Sequence, residues 1–292
     1  MSAARRAGAV PTSTLFGRAT SLPRTARAFF LRDFQEEASY RLSFAMSFAG
    51  LFLASTVWFF LGRFVQGVAE PGALSRTLDG LDYYSFTLVG LMIGRFIDVA
   101  QSSYSSKIRD EQTTGTLEAM LVTPTKLGHI ILAGSTWSYV FALLQAGAYL
   151  FFGVFVFGVR LNVGSVVGAL AAVLFSVLAL SGIGILSAAF VLYFKRGNPI
   201  DYAMSMAAML FGNMYIPVRT MPAELAWISK CIPVTYAVDA VRGALLQGKV
   251  LADLLPDLLA LLGFAAVLLP LGLAGAWFAV RRAKQEGTLV QY

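Results

Sequence analysis

Six long apolar runs alternate with shorter polar segments along the chain, and each approaches the roughly 20 residues a helix needs to cross the hydrocarbon of a bilayer. They predict spans at about 42–62, 83–106, 128–158, 164–194, 200–216 and 254–280, within a transmembrane domain of residues 42–284. The third and fourth runs exceed one crossing, so they tilt or project beyond it. Ahead of the first span, Ala26, Phe30, Leu31, Phe34 and Ala38 share one helical face, while Arg27, Arg32, Asp33, Glu36 and Glu37 occupy others. That pattern predicts an amphipathic interface helix over 23–41. Residues 1–22, with Arg5, Arg6 and Arg18 among small and turn-forming residues, hold too little apolar surface to fold and predict a disordered basic tail. Residues 285–292 form a second tail. Residues 217–253 fit neither a span nor a loop. Their short apolar stretches, punctuated by Pro222 and Pro233, predict re-entrant or interfacial helices, which exist at membrane depth only where protein or water satisfies their backbone.

One polar segment, Lys107–Pro124, stands apart. Thr113 and Thr114 can accept from the free N–H groups of a helix start, and Gly115 relaxes the backbone there. Leu117, Met120 and Leu121 recur at helical spacing, and Pro124 stops the continuation. The prediction is a two-turn helix over 113–121 lying across a membrane exit, with an apolar edge to bury and a polar edge carrying Glu118. From the loop alone, a solvated connector and a docking element fit equally well.

Composition agrees with the pattern: 57% hydrophobic and 13% charged residues describe a polytopic membrane protein and exclude a soluble domain. The net charge of +7 resides in tails and loops, with no basic stripe for nucleic acid. With the N-terminus inside, the cytoplasmic side holds 15 Lys and Arg against 7 outside, with Arg95 within the membrane. The positive-inside rule therefore predicts both termini cytoplasmic.

The second span carries Arg95 and Asp98 near its middle, where each costs about 2.5–3.5 kcal/mol to insert. Three residues apart, they can pair. They are either a buried ion pair holding two helices together or, continued by Gln101, Ser102 and Ser105, part of a face bordering a water-accessible path. In the fourth span Ser181, Gly182, Gly184, Ser187 and Ala188 predict a small-residue surface for close helix approach. The fifth span holds Met204, Met206, Met209 and Met214, an adaptable apolar surface whose first use is core packing. The single Cys231 permits no disulfide within the chain and predicts a small buried apolar residue, and His129 predicts an interfacial position. Gly243–Val250 has the glycines and lysine of a phosphate-binding loop, but the required Ser/Thr is Val250 and no strand precedes it. No hydrolase elbow, zinc-protease signature or cysteine pair is present in the sequence.

Taken together, these segments resemble the permease subunits of type-2 ATP-binding-cassette exporters. Glu111 through Pro124, with Gly115-Thr116-Leu117-Glu118 at its heart, is similar to that family's loop after the second span. Gly212-Asn-Met-Tyr-Ile-Pro217, Met221-Pro222, Pro233-Val-Thr-Tyr236 and Arg242 resemble its exterior re-entrant signature, and the amphipathic helix resembles its interface helix. The resemblance implies an all-α membrane protein of six spans and a coupling helix that docks a separate ATPase through Glu111, Thr114, Gly115, Thr116, Leu117, Glu118 and Pro124. It implies a translocation path or dimer interface at Arg95, Asp98, Gln101, Met209, Asn213, Met214 and Tyr215, and an exterior re-entrant gate at Pro217, Pro222, Pro233, Tyr236 and Arg242. The expected assembly is a homodimer with two ATPase subunits in the cell inner membrane, in contact with its lipids. ATP and Mg belong to the ATPase, and no cofactor or nucleic acid is expected in this chain. The expected substrate is a hydrophobic or amphipathic drug, lipid or lipid-linked glycan. The competing class is an ATP-independent carrier or intramembrane enzyme; a carrier normally carries internal repeats, and none is evident in the sequence.

Overall fold

The computed structural model describes residues 22–69, 76–114, 134–194 and 198–285, and every regular element among them is helical. The helices are α1 (Leu22–Ser39), α2 (Arg41–Val68), α3 (Tyr83–Thr113), α4 (Thr136–Phe151, widening into a π turn over Phe152–Val156), α5 (Val166–Phe194), α6 (Pro199–Phe211), α7 (Ala223–Lys230), α8 (Pro233–Leu245) and α9 (Leu251–Gln285). Among the described residues, four segments are long and apolar enough to cross a membrane: Arg41–Val68, Thr136–Val156, Val166–Phe194 and Leu251–Ala279. Residues such as Leu53, Val57, Phe60 and Phe64 on α2 stay exposed at helical spacing, an apolar surface that water would not tolerate and lipid does.

The two other expected spans differ for identifiable reasons. Helix α3 is longer than 83–106; its 31 residues reach about 46 Å, more than the roughly 30 Å of a bilayer's hydrocarbon. Helix α6 covers 13 residues, about 20 Å, rather than the expected 200–216. It stops at Phe211 because Asn213 adopts a left-handed conformation, φ 54°, which asparagine tolerates better than most residues, and a series of bends follows. Cys231, expected to be buried, is exposed, since it sits in the turn between α7 and α8 at the surface.

Helix α5 is the centre of the bundle, packed most extensively against α9 and then against α3. The small-residue surface is the cause. A Cβ on Gly182 would collide with the backbone carbonyl of Leu268 on α9, and a Cβ on Gly272 of α9 with the carbonyl of Gly182. A Cβ on Gly184 would collide with the carbonyl of Ala100 on α3. Two residues on a helix turn by about 200°, so neighbouring glycines open opposite faces and let backbones touch on both sides. The α3 contact is then sealed by the Tyr104 hydroxyl, 3.1 Å from Ser181 Oγ and 3.1 Å from the Tyr139 hydroxyl of α4.

The stretch expected to be re-entrant, 217–253, is the irregular part. Helix α8 is almost wholly buried, and its last carbonyls, which lack partners within the helix, accept from another segment: Asn162 N–H bonds Leu245 O at 3.0 Å and Gly164 N–H bonds Ala244 O at 2.9 Å. Gly164 has no room for a side chain there, because a Cβ would strike Gly248 and Lys249 backbone.

These contacts set a paired prediction. Gly184→Ala adds one methyl against a carbonyl and should cost about 1–3 kcal/mol. Gly147→Ala, on α4 with open space around it, should be neutral or slightly stabilising, as glycine in a helix usually costs about 0.5–1 kcal/mol relative to alanine. Thermal unfolding in nanodiscs, followed by tryptophan fluorescence, distinguishes them; equal melting temperatures would remove the close-approach argument.

Candidate functional site

Midway along α3 the polar positions break the apolar surface. Arg95 Nε donates to Gln145 Oε1 on α4 at 2.9 Å, while Arg95 Nη1 lies 3.5 Å from Asp98 Oδ2. The side chains are 38% and 57% exposed, so the pair is neither buried nor a tie between helices; the tie is made to Gln145. An exposed guanidinium and carboxylate at this depth need water or protein beside them, not lipid. The Tyr215 hydroxyl lies 3.7 Å from where a Cβ on Gly94 would stand, and the Tyr215 ring stacks on Trp58 with centroids 4.6 Å apart. Asp98 and Tyr215 thus border one patch with Arg95. Met209 on α6 is exposed, whereas Met214 is buried where Gly90 and Gly94 leave room for it. Gln101, expected on the same face as Arg95, is buried instead and accepts from Ser205 of α6 at 3.2 Å. Ser105 is likewise turned inward.

At the end of the bundle where α3 begins, Arg242 of α8 organises the surroundings. One terminal nitrogen donates to Phe86 O at 3.1 Å and to Asn213 O at 2.9 Å; the other donates to Asp239 Oδ1 at 3.1 Å. Its guanidinium carbon lies 3.7 Å from the Phe86 ring centroid, a cation–π stack. Asn213 completes the net, donating to Asp239 at 2.6 Å and accepting from Val218 N–H at 3.1 Å. Burial pulls the Arg242 guanidinium down to about 10, which leaves it charged at neutral pH. Burial pushes the Asp239 carboxyl above the usual carboxylate range, against the opposing pull of Arg242 and the Asn213 bond. The other expected gate residues are structural punctuation: Pro217 precedes a single 3-10 turn, Pro222 caps α7, Pro233 opens α8, and the Tyr236 hydroxyl donates to Lys230 O at 3.0 Å. Beneath them lies a polar cavity of about 380 Å³.

The opposite end holds the expected coupling segment. Glu111 falls in the last turn of α3. Thr114 follows the helix, and its hydroxyl donates back to Asp110 O at 2.8 Å, so it closes α3. Gly115, Thr116, Leu117, Glu118 and Pro124 lie outside the described residues, as does His129. Two contacts brace the end of α3. Lys107 pairs with both oxygens of Asp33 on α1 at 3.2 Å, and α1 lays Phe30 and Phe34 edge-on against Trp137 of α4. Nearby, Asn198 accepts from Ser187 at 2.5 Å, donates to Ser105 at 3.1 Å and bonds Asp201, joining α5, α3 and the start of α6.

Compared with known families, residues 25–246 match the model described as ABC-2 type transporter, which is most of the chain. The chain belongs to the ABC-2 type transporter family. A comparison with curated proteins found no match. In this family the matched region is the membrane component of an ABC transporter, without an ATP site of its own, and an ABC ATPase partner is implied. The chain is therefore a multi-pass membrane protein.

Sequence reasoning about this ABC-2 chain missed Gln145, Asn198 and Asp201. Each stands in or beside an apolar run, and a lone polar residue in such a run was the available signal. Arg242 was found by motif, but its carbonyl partners, Phe86 and Asn213, were invisible because backbone acceptors leave no mark on a sequence. Arg242→Met should therefore lower the stability of the ABC-2 chain by about 3–5 kcal/mol, since it leaves the Asp239 carboxylate without its cation and removes the guanidinium donor from Asn213 O and Phe86 O. Arg242→Lys should recover little, because an ammonium cannot reproduce the planar fork and the stack. Chemical or thermal unfolding in nanodiscs checks both; a lysine variant as stable as wild type would refute the fork geometry.

Proposed function

We propose that this ABC-2 chain is the permease subunit of an ATP-driven exporter. Six spans leave both termini in the cytoplasm of a cell whose inner membrane holds the assembly. The chain pairs with a second copy and with two ATPase subunits, which carry ATP and Mg and dock on the helix over 113–121. Helix α3 and the short α6 followed by the 212–216 bend supply the second and fifth crossings. The cargo is a hydrophobic or amphipathic molecule, such as a drug, lipid or lipid-linked glycan, leaving the cytoplasm or inner leaflet.

The observation that carries this reading is the single helix α3. It presents Arg95 and Asp98, exposed, near its middle and runs without interruption to Thr113, where the loop containing Glu118 begins. A push on the loop is a push on the charged face. An exposed pair at mid-span has to be covered by water or by another protein surface, which a path between two copies provides. Arg242 and the re-entrant helices close the far side in this reading, and the stretch from Pro217 through Tyr236 positions them.

The first test is a pull-down of the full chain from its native host in nanodiscs, with the ATPase activity of what accompanies it. A stoichiometric ATP-hydrolysing partner, lost when 113–121 becomes a Gly/Ser linker, is the expected result. Glu118→Arg should abolish coupled transport, because reversing that charge disrupts docking. Arg95→Ala and Asp98→Asn should reduce transport at least tenfold while the ATPase subunit still binds, about 1.4 kcal/mol or more at the transport step. A chain that is active alone, with no ATPase attached, would favour a secondary carrier or a membrane enzyme instead.

A further inference from the structure

The ≈380 Å³ cavity at the Arg242 end has an unusual charge arrangement. It lies at the opposite end of α3 from the coupling loop. Three basic and three acidic side chains line it: Arg219, Arg242 and Lys249 against Asp79, Asp239 and Asp257. Four of the six are already paired, Arg219 with Asp79 at 2.5 Å and Arg242 with Asp239 at 3.1 Å. The side chains of Lys249 and Asp257 make no hydrogen bond and no ion pair within 4.0 Å among the described residues; the Lys249 backbone N–H donates to Gly243 O at 3.0 Å. The Lys249 stem rests against Gly243 of α8, where a Cβ would lie 2.8 Å from Lys249 Cδ, and Asp257 stands on the first turns of α9. The cavity thus offers one uncommitted cation and one uncommitted anion, separated by more than ion-pair distance.

We propose that this cavity binds a zwitterion carrying an ammonium and a phosphate group, the ammonium toward Asp257 and the phosphate toward Lys249. A purely anionic ligand would meet three carboxylates and a purely cationic one three basic groups, whereas a neutral molecule with separated charges is opposed by neither set. No cluster of three metal-ligating side chains occurs among the described residues, so the acids do not point to a metal. The volume lies within the range of small-molecule sites, roughly 300–1,000 Å³. Such a ligand is either the headgroup of a zwitterionic phospholipid or a free amine-bearing phosphodiester, and the same two charges recognise both. The inference deepens the exporter reading by naming a headgroup class at the cargo's exit end, and it rests on that reading for its role.

The experiment uses the full chain in phosphatidylglycerol nanodiscs, without ATPase, and measures binding of glycerophosphoethanolamine, whose phosphodiester carries one negative charge against one ammonium, by calorimetry. Wild type should bind it at least tenfold more tightly than ethanolamine or inorganic phosphate alone, since each of those engages one charge. Lys249→Asp and Asp257→Lys should each weaken binding about tenfold or more, and the double charge exchange should restore it, because a zwitterion can reverse in the site. Neither side chain makes a hydrogen bond or ion pair among the described residues, and the Lys249 backbone bond to Gly243 survives substitution, so the variants should fold as wild type does. Repeating the titration in phosphatidylethanolamine nanodiscs separates the sources: loss of soluble binding identifies the lipid headgroup, and unchanged binding a free zwitterion, both in support. Absent wild-type binding, equal binding of the single-charge probes, or unaffected single variants would overturn the proposal. No ATPase enters the measurement, so its failure and the failure of the pull-down are separate results.

Discussion

Much of this architecture depends on one guanidinium. Helix α8 and the bend before it place carbonyls and a carboxylate in the protein interior, where a polar group left without a partner costs about 1–3 kcal/mol. Arg242 reaches the carbonyl of Phe86 on α3, that of Asn213 in the bend, and the Asp239 carboxylate on its own helix. Arginine suits the position because its donors radiate in one plane and its face can lie on Phe86 at the same time. Its own burial is tolerable because charge and donors are largely spoken for, although Nε remains without a hydrogen-bond partner. The left-handed Asn213 turns its carbonyl to Arg242 while its side chain bridges Asp239 and Val218, so the end of α6 and the fixing of α8 are one feature.

How far the chain could be read from sequence follows from which forces leave a mark there. Apolar runs report burial in lipid, so the helices over 42–62, 164–194 and 254–280 were legible, along with the amphipathic face of Phe30 and Phe34 that packs on Trp137. Paired small residues report close approach, so Gly182 and Gly184 were legible, although the opposite helices they meet were not. Arg95 and Asp98 announced themselves by cost. Their exposure and the preference of Arg95 for Gln145 did not, since both depend on how α3 is rotated against α4. Helix ends were read least well: α3 ran past Ser106 and α6 stopped before Ile216, because a projecting helix and a left-handed residue are settled by tertiary partners. The cavity beside Arg242 was not legible at all, as Asp79, Arg219, Lys249 and Asp257 come from separate segments with no shared spacing.

The packing also divides the molecule into parts of unequal stiffness. Helix α5 is held to α9 and α3 by backbone contact at Gly182, Gly184 and Gly272 as well as by side chains, and the glycine contacts resist sliding because a register shift brings a Cβ against a carbonyl. Helices α2 and α4 meet each other and the core largely through aromatic rings, among them Phe44, Phe48 and Phe141 near one end and Phe52, Phe152 and Phe157 further along. Rings in offset or edge contact can tilt past one another with little loss of area. The expected docking segment lies between the end of α3, on the stiff side, and the start of α4, on the adaptable side. A force applied there acts across the Arg95–Gln145 bond, which joins the same two helices at mid-depth. That bond joins a partly exposed Arg95 to a buried Gln145, alongside the Tyr104–Tyr139 hydroxyl contact between the same helices, and its strength rises or falls with the water admitted beside Arg95. The charged face of α3 therefore borders the α3–α4 seam, and α1, tied to α3 through Asp33 and Lys107 and to α4 through Trp137, spans the same seam at the end of the bundle where α3 finishes.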